Sequence, residues 1–195
     1  MTIAFVLGNG ISRQTISLSD LQQLGKIYGC NALHREFTPD VLVATDKPIA
    51  TYIQNLGYAK KNRFYTRRPL PDSGSLQVPA EYFGYSSGPI AISIAARDKH
   101  CRIYLLGFDI GATETNTFNN VYSDTEFYKR STATPTFTGN WIKQLCRILQ
   151  DNPQTIFIRI CSDTTARIPE LESIRNLEHQ SLASFQDRIN TKTEL

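Results

Sequence analysis

The chain has 195 residues, 41% hydrophobic and 20% charged, with 21 basic against 18 acidic side chains and a formal charge of +3. That length can bury one sizeable core, and a charge so mild and scattered excludes the dense basic footprint of a nucleic-acid-binding protein. No apolar run approaches the ~20 residues that cross a bilayer, no secretory leader is visible, and Cys30, Cys101, Cys146 and Cys161 form no zinc-like pair, so the expectation is a soluble protein of a reducing cytoplasm.

Taken in chain order, IAFVLGNG (3–10) is a nearly unbroken apolar run closed by glycine, as expected of a strand buried on both faces of a parallel sheet. DLQQLGKIYGCNAL follows with a short helix-like segment and a second strand, KIYGCN. PDVLVATD (39–46) is the next strand and ends in a carboxylate. KPIATYIQNLGYA (47–59) carries Ile49, Tyr52, Ile53 and Leu56 at helical spacing, with Gly57 as its stop. RFYTRRPL reads as a strand or an extended connection; the basic cluster Lys60, Lys61, Arg63, Arg67 and Arg68 around it reads as a solvated face or as a surface turned to phosphate.

PDSGS (71–75) is a loop, and SSGPIAISIAARDKH (86–100) a helix opened by a capping serine and an early proline. RIYLLGFD (102–109) is the most convincing central strand and also ends in an acid. Residues 110–139 are polar and rich in Thr, Asn and Ser, too long for an ordinary connection. Tyr122, Phe127, Tyr128 and Phe137 stud this segment, either anchoring it to the body or making it a lid, with Tyr122 and Tyr128 the lid candidates. NWIKQLCRILQDN (140–152) is an amphipathic helix built on Trp141, Ile142, Leu145, Ile148 and Leu149, and QTIFIRICS reads as the last strand. Residues 166–195 are expected to form one helix or an arm used for assembly, beyond a main domain of residues 1–165.

Strands alternating with helices predict an α/β, Rossmann-like fold: a mainly parallel open sheet with helices on both faces, a polar lid-like loop and a C-terminal arm. Ligands of such sheets bind beyond the carboxyl ends of the strands. Those ends carry GNGIS, then Cys30 and Asn31, then Thr45 and Asp46, then Gly107 and Asp109. Glycines there let backbone amides approach a phosphate, or simply turn the chain. Against the dinucleotide fingerprint G-x-G-x-x-G, the third glycine is Arg13, and Asn31 stands where an acid would close the second strand. Asp46 and Asp109 either cap and brace their own loops or offer carboxylates to Mg²⁺ beside a phosphate. Of the histidines, His34 lies nearest the cleft, while His100 and His179 read as surface residues.

GNGISRQTISLSDL, the Cys30-Asn31 pair and SSGPIAISIAARDKHCRIYLLGFDIG together resemble the bacterial sialyltransferases of the Campylobacter type. That family has a Gly-Asn-Gly-Pro-Ser loop, a Cys-Asn pair after its second strand, and a Ser-Gly-started helix leading to a Tyr-Leu-x-Gly-x-Asp strand. PDVLVATDKP and GFDIG also resemble motility-accessory and hydroxymethylpterin pyrophosphokinase-like proteins. The resemblance implies a nucleotide- or nucleotide-sugar-dependent transferase, moving a glycosyl or pyrophosphoryl group to an acceptor. On it, Gly8, Asn9, Gly10 and Ser12 would face the phosphates, Asn31, Ser87 and Gly88 the nucleotide, and Asp46 and Asp109 would be the catalytic or Mg²⁺-binding acids. Two departures matter. The family's leaving-group tyrosine is Gly111 here, and no histidine lies between His100 and His179 to serve as its general base. Sialyl transfer itself is therefore not expected, and the rival expectation is a non-catalytic binding or assembly protein on the same fold, such as a homo-oligomer or a subunit of a larger particle, a phage virion included.

Overall fold

The computed structural model describes residues 2–191. From its N-terminus the chain lays down β1 (Ile3–Leu7), helix α1 (Leu18–Leu24), β2 (Lys26–Cys30), β3 (Val41–Val43), helix α2 (Lys47–Asn55), β4 (Arg63–Thr66) and β5 (Leu76–Gln77). Helix α3 (Ser87–Arg97) then leads to β6 (Arg102–Leu106), helix α4 (Gly139–Asp151) to β7 (Ile156–Cys161), and helix α5 (Pro169–Glu172) to β8 (Leu177–Ser181), with α6 (Leu182–Asn190) last. Among the described residues the strands form one open sheet, all parallel, in the order β5-β4-β3-β2-β1-β6-β7-β8.

Alternation along the strands builds two cores, one on each face. Ala4 and Val6, with Ile103 and Leu105, pack with residues of α3 and α4, while Phe5 and Leu7, with Tyr104 and Leu106, pack with residues of α1, α2 and α6. This is why the central runs are apolar at nearly every position: both faces are covered. Removing each such large side chain from water contributes roughly 1.5–3 kcal/mol before the cost of ordering the chain.

Helix α3 sets the position of the site. From the far edge of the sheet it returns past β3, β2 and β1, and the next strand, β6, inserts beside β1. Strand order therefore reverses between β1 and β6, which opens a crevice outside their carboxyl ends.

Several expectations change. QTIFIRICS is not the last strand: β8 pairs with β7, and Phe185 of α6 is fully buried against Phe5 and Tyr104. Residues 166–191 thus extend the same sheet rather than forming a single helix or a separate arm; residues 192–195 of that segment lie outside the described residues. PDSGS leads into the short strand β5. The buried stripe of α2 is Ile49, Ala50, Ile53 and Gln54, whereas Tyr52 and Leu56 stay exposed. Ser86 precedes α3 without a capping hydrogen bond, and its hydroxyl instead accepts from Trp141 Nε1 at 3.1 Å. His100 is buried, not on the surface, with Nε2 2.9 Å from the Tyr28 hydroxyl. All four cysteines are free, and among the described residues no helix is long and apolar enough to cross a membrane.

Candidate functional site

The crevice is a real cavity of about 440 Å³, within the size range of small-molecule sites. Its wall includes Gly8, Asn9 and Gly10 after β1, Cys30 and Asn31 after β2, Asp46 after β3, and Gly107 to Gly111 after β6. Ser86, Ser87 and Gly88 bring the start of α3, and Trp141 comes from α4. The long segment between β6 and α4 folds over the same edge and contributes Phe118, Asn119, Phe127, Tyr128 and Lys129. Three wall residues, Asn31, Ile110 and Phe127, hold left-handed backbone with φ of 51°, 51° and 73°. Such outliers persist only where their surroundings fix them, and they gather at functional sites.

The first turn is tied down by internal bonds. The amide of Gly8 donates to Leu106 O and that of Gly10 to Gly107 O, both at 2.8 Å. Ile11 N donates to Asn119 Oδ1 at 2.9 Å, and Ser12 N to Asp109 Oδ2 at 3.1 Å. Within residues 8–13, and among the described residues, only the Asn9 amide has no acceptor. The glycines are forced by packing: a Cβ on Gly8 would meet Gly107 O at 2.4 Å, and one on Gly10 would meet the Asp109 carboxyl at 2.5 Å.

Asp109 and Asp46 have different surroundings. Asp109 is buried; besides Ser12 N it accepts from the Ser12 hydroxyl, and Thr164 Oγ1 lies 3.5 Å away. Its turn is braced from β7 by Arg159, a fully buried guanidinium that donates to the carbonyls of Phe108, Asp109 and Ala166. Ser12 therefore faces Asp109 and is not part of the cavity wall. Asp46 precedes α2, makes no capping hydrogen bond, and stands exposed at the cavity wall.

Asn31 and Ser87 are brought together. The Ser87 hydroxyl donates to Asn31 Oδ1 at 2.9 Å and accepts from Thr45 N at 3.0 Å, linking the ends of β2, β3 and α3. His34 does not line the cavity: its Nδ1 bonds Asn31 O at 3.0 Å and supports the strained residue from behind, and burial lowers its pKa. Gly88 leaves room for Phe108, whose ring lies 3.2 Å from where a Cβ would sit.

The two tyrosines proposed as a lid differ. Tyr122 is an anchor: its hydroxyl donates to Glu36 Oε1 at 2.5 Å and accepts from buried Arg13 at 2.7 Å. Tyr128 lines the cavity, accepting from Ala32 N at 3.2 Å, and burial pushes its phenol up to about 12, so it stays protonated. Lys129, a cation in the wall, and the buried braces Arg13 and Arg159 escape the sequence reading; a charge inside an apolar run such as IFIRIC is the one signal that points to Arg159. Among the described residues no group of three or more His, Cys, Asp or Glu is gathered as a metal centre.

No family model and no curated protein matches the chain. Solved structures do. The sialyltransferase CstII from Campylobacter jejuni, in complex with the substrate analogue cytidine-5'-monophosphate, superposes with a TM-score of 0.55 at 13% identity, covering 84% of this chain and 81% of that one. The sialyltransferase CST-II in complex with a trisaccharide acceptor and CMP gives 0.52 at 11% identity, covering 96% and 98%. At such identities the likeness is one of fold: the chain has the α/β, Rossmann-like architecture of these sialyltransferases.

Proposed function

We propose that the protein is a nucleotide-sugar-dependent glycosyltransferase whose donor occupies the cavity between β1 and β6. The observation that carries this reading is the convergence of the free Asn9 amide, the Asn31–Ser87 pair, the start of α3 and Lys129 on one cavity at the switch point of the sheet. Unpaired amides at a helix start favour an anion, and Lys129 adds a full charge. Neighbours of the same fold bind CMP and a trisaccharide acceptor, which fits a donor of this class.

Asp46 is the candidate general base because its oxygens are free, whereas those of Asp109 are engaged. In a single displacement the acceptor hydroxyl oxygen forms a bond to the anomeric carbon as the bond from that carbon to the donor phosphate breaks. Asp46 takes the hydroxyl proton, and the phosphate leaves with the electron pair. The start of α3 and Lys129 stabilise the charge that develops there, replacing the tyrosine whose position Gly111 occupies. If Mg²⁺ takes part, Asp46 and the donor phosphates would hold it and it would neutralise their charge; the hydrogen bonds on Asp109 leave that acid poorly suited.

The test is a thermal-shift and turnover screen against nucleotides and nucleotide sugars, with Mg²⁺ or with a chelator. A shift with one donor class, weakened in Lys129→Gln, and turnover lost in Asp46→Asn with donor binding kept, is the expected result. Pyrophosphoryl transfer would appear instead as consumption of a nucleoside triphosphate. Absence of any shift would sink the transferase reading in favour of an assembly role on the same fold.

A further inference from the structure

A second chamber of about 420 Å³ lies beside the first, past the carboxyl ends of β3 and β4, and Asp46 belongs to the walls of both. Lys47, Arg67 and Arg68 line it together with Thr51 and Phe83. The basic cluster of the sequence is split by β4: Arg63 stands at the start of the strand, paired with Asp98 at 2.5 Å, while Arg67 and Arg68 follow its other end. Arg13, Lys26, Arg97 and Arg147 are likewise paired with carboxylates. Among the described residues Lys47, Arg67 and Arg68 have no carboxylate partner, although Asp46 shares their chamber. Arg67 is fixed by the Gly84 and Tyr85 carbonyls at 3.0 and 2.8 Å, and its Nε is buried without an acceptor.

Three cations in a concavity, unneutralised and partly pre-oriented, are arranged to hold an anion, and their shared wall residue is the candidate base. We infer that this chamber is an anion subsite for the second substrate, taking an acceptor that carries a phosphate or a carboxylate and setting its hydroxyl beside Asp46. The word acceptor rests on the transferase reading; the anion site does not.

Isothermal titration of the full chain with glucose-6-phosphate, glucuronate and neutral glucose tests this, on wild type and on Lys47→Gln/Arg68→Gln. Both replaced residues are exposed, so the variant is expected to keep the wild-type melting temperature. At least one charged sugar should bind more tightly than glucose, and the double variant should weaken it by about tenfold or more, since charge-assisted contacts are the strong ones. The phosphate and carboxylate arms say which anion is preferred. Saturating CMP should leave this binding in place. Binding of charged and neutral sugars alike, indifference to the double variant, or displacement by CMP would each overturn the inference, the last because the chamber would then hold the nucleotide's own phosphate. If no nucleotide binds but a charged sugar binds and is lost in the variant, the transferase reading falls and the anion subsite stands.

Discussion

The two acids that look alike in the sequence should separate under mutation. Asp109→Ala removes a buried acceptor from the amide and hydroxyl of Ser12, and should lower unfolding free energy by roughly 1.5–3 kcal/mol in urea titration. Asp46→Ala touches no hydrogen bond of the fold and should stay within about 0.5 kcal/mol of wild type while losing turnover by roughly 10²–10⁴-fold. Gly10→Ala would force a Cβ onto the Asp109 carboxyl, so overpacking of roughly 1–3 kcal/mol should accompany any loss of binding. Glycine was legible in GNGIS as a sign of close approach; that its crowding partner is a carboxylate from another strand was not, because strand neighbours are set only by topology. His100 gives a pH signature. Burial lowers its pKa below the ordinary imidazole value of about 6.5 against the opposing pull of Asp98 and Asp40, with Lys26 adding to the lowering. The unfolded chain then binds the proton more readily, so the stability linked to this group is complete above about 6.5 and is lost as pH falls from there through the folded value. Denaturant midpoints measured from pH ~7.5 down to ~5 should fall less steeply in His100→Gln than in wild type; equal slopes would assign the loss to His34 and His179, whose pKa values are also lowered.

At the scale of elements, the central strands were readable because burial on both faces makes each of them apolar at nearly every position. Strand β8 was not. Its sequence LEHQS belongs to an edge, where Glu178 and His179 remain exposed and only Leu177 is buried, so neither an apolar run nor an alternation marks it. Polar edges of this kind also discourage pairing with other chains. Phe185 was less visible because it is the one fully buried residue of α6, LASFQDRIN, whose flanking Leu182 and Ile189 pack on the same core only partly buried. Phe185→Ala should therefore cost about 3–5 kcal/mol, the range for emptying a core site of a phenyl ring, and truncation after residue 165 should give an unstable or aggregating chain because it bares β7. A truncated chain that melts at the wild-type temperature would show that β8 and α6 contribute nothing to the sheet.

Three left-handed residues, Asn31, Ile110 and Phe127, the carboxylate of Asp46 and the cations Lys47, Arg67 and Arg68 lie on one edge of one sheet, and the segment between β6 and α4 roofs that edge. Alternating elements in the sequence foretold the edge, and the composition of residues 110–139 foretold a long connection, but not how it docks. The docking runs through contacts between distant residues: Val121 N to Asn9 O at 2.8 Å, Ile11 N to Asn119 Oδ1 at 2.9 Å, and Tyr122 to both Arg13 and Glu36. Roof and first turn are therefore expected to open together, and a nucleotide held between them should resist that opening. Free nucleotide at about 100 times its dissociation constant adds roughly 2.7 kcal/mol to global stability by mass action. Amides already bonded across the roof, those of Ile11 and Val121, should exchange more slowly with nucleotide present, while β8, on the far edge of the sheet, gains protection only as far as global unfolding limits its exchange. Hydrogen exchange followed by mass spectrometry, with and without CMP, resolves these regions. Protection confined to the first turn and the roof would locate the ligand in the cavity between β1 and β6. A raised melting temperature with protection centred on residues 45–68 instead would move the nucleotide into the cationic chamber, and would reverse the roles assigned to the two cavities.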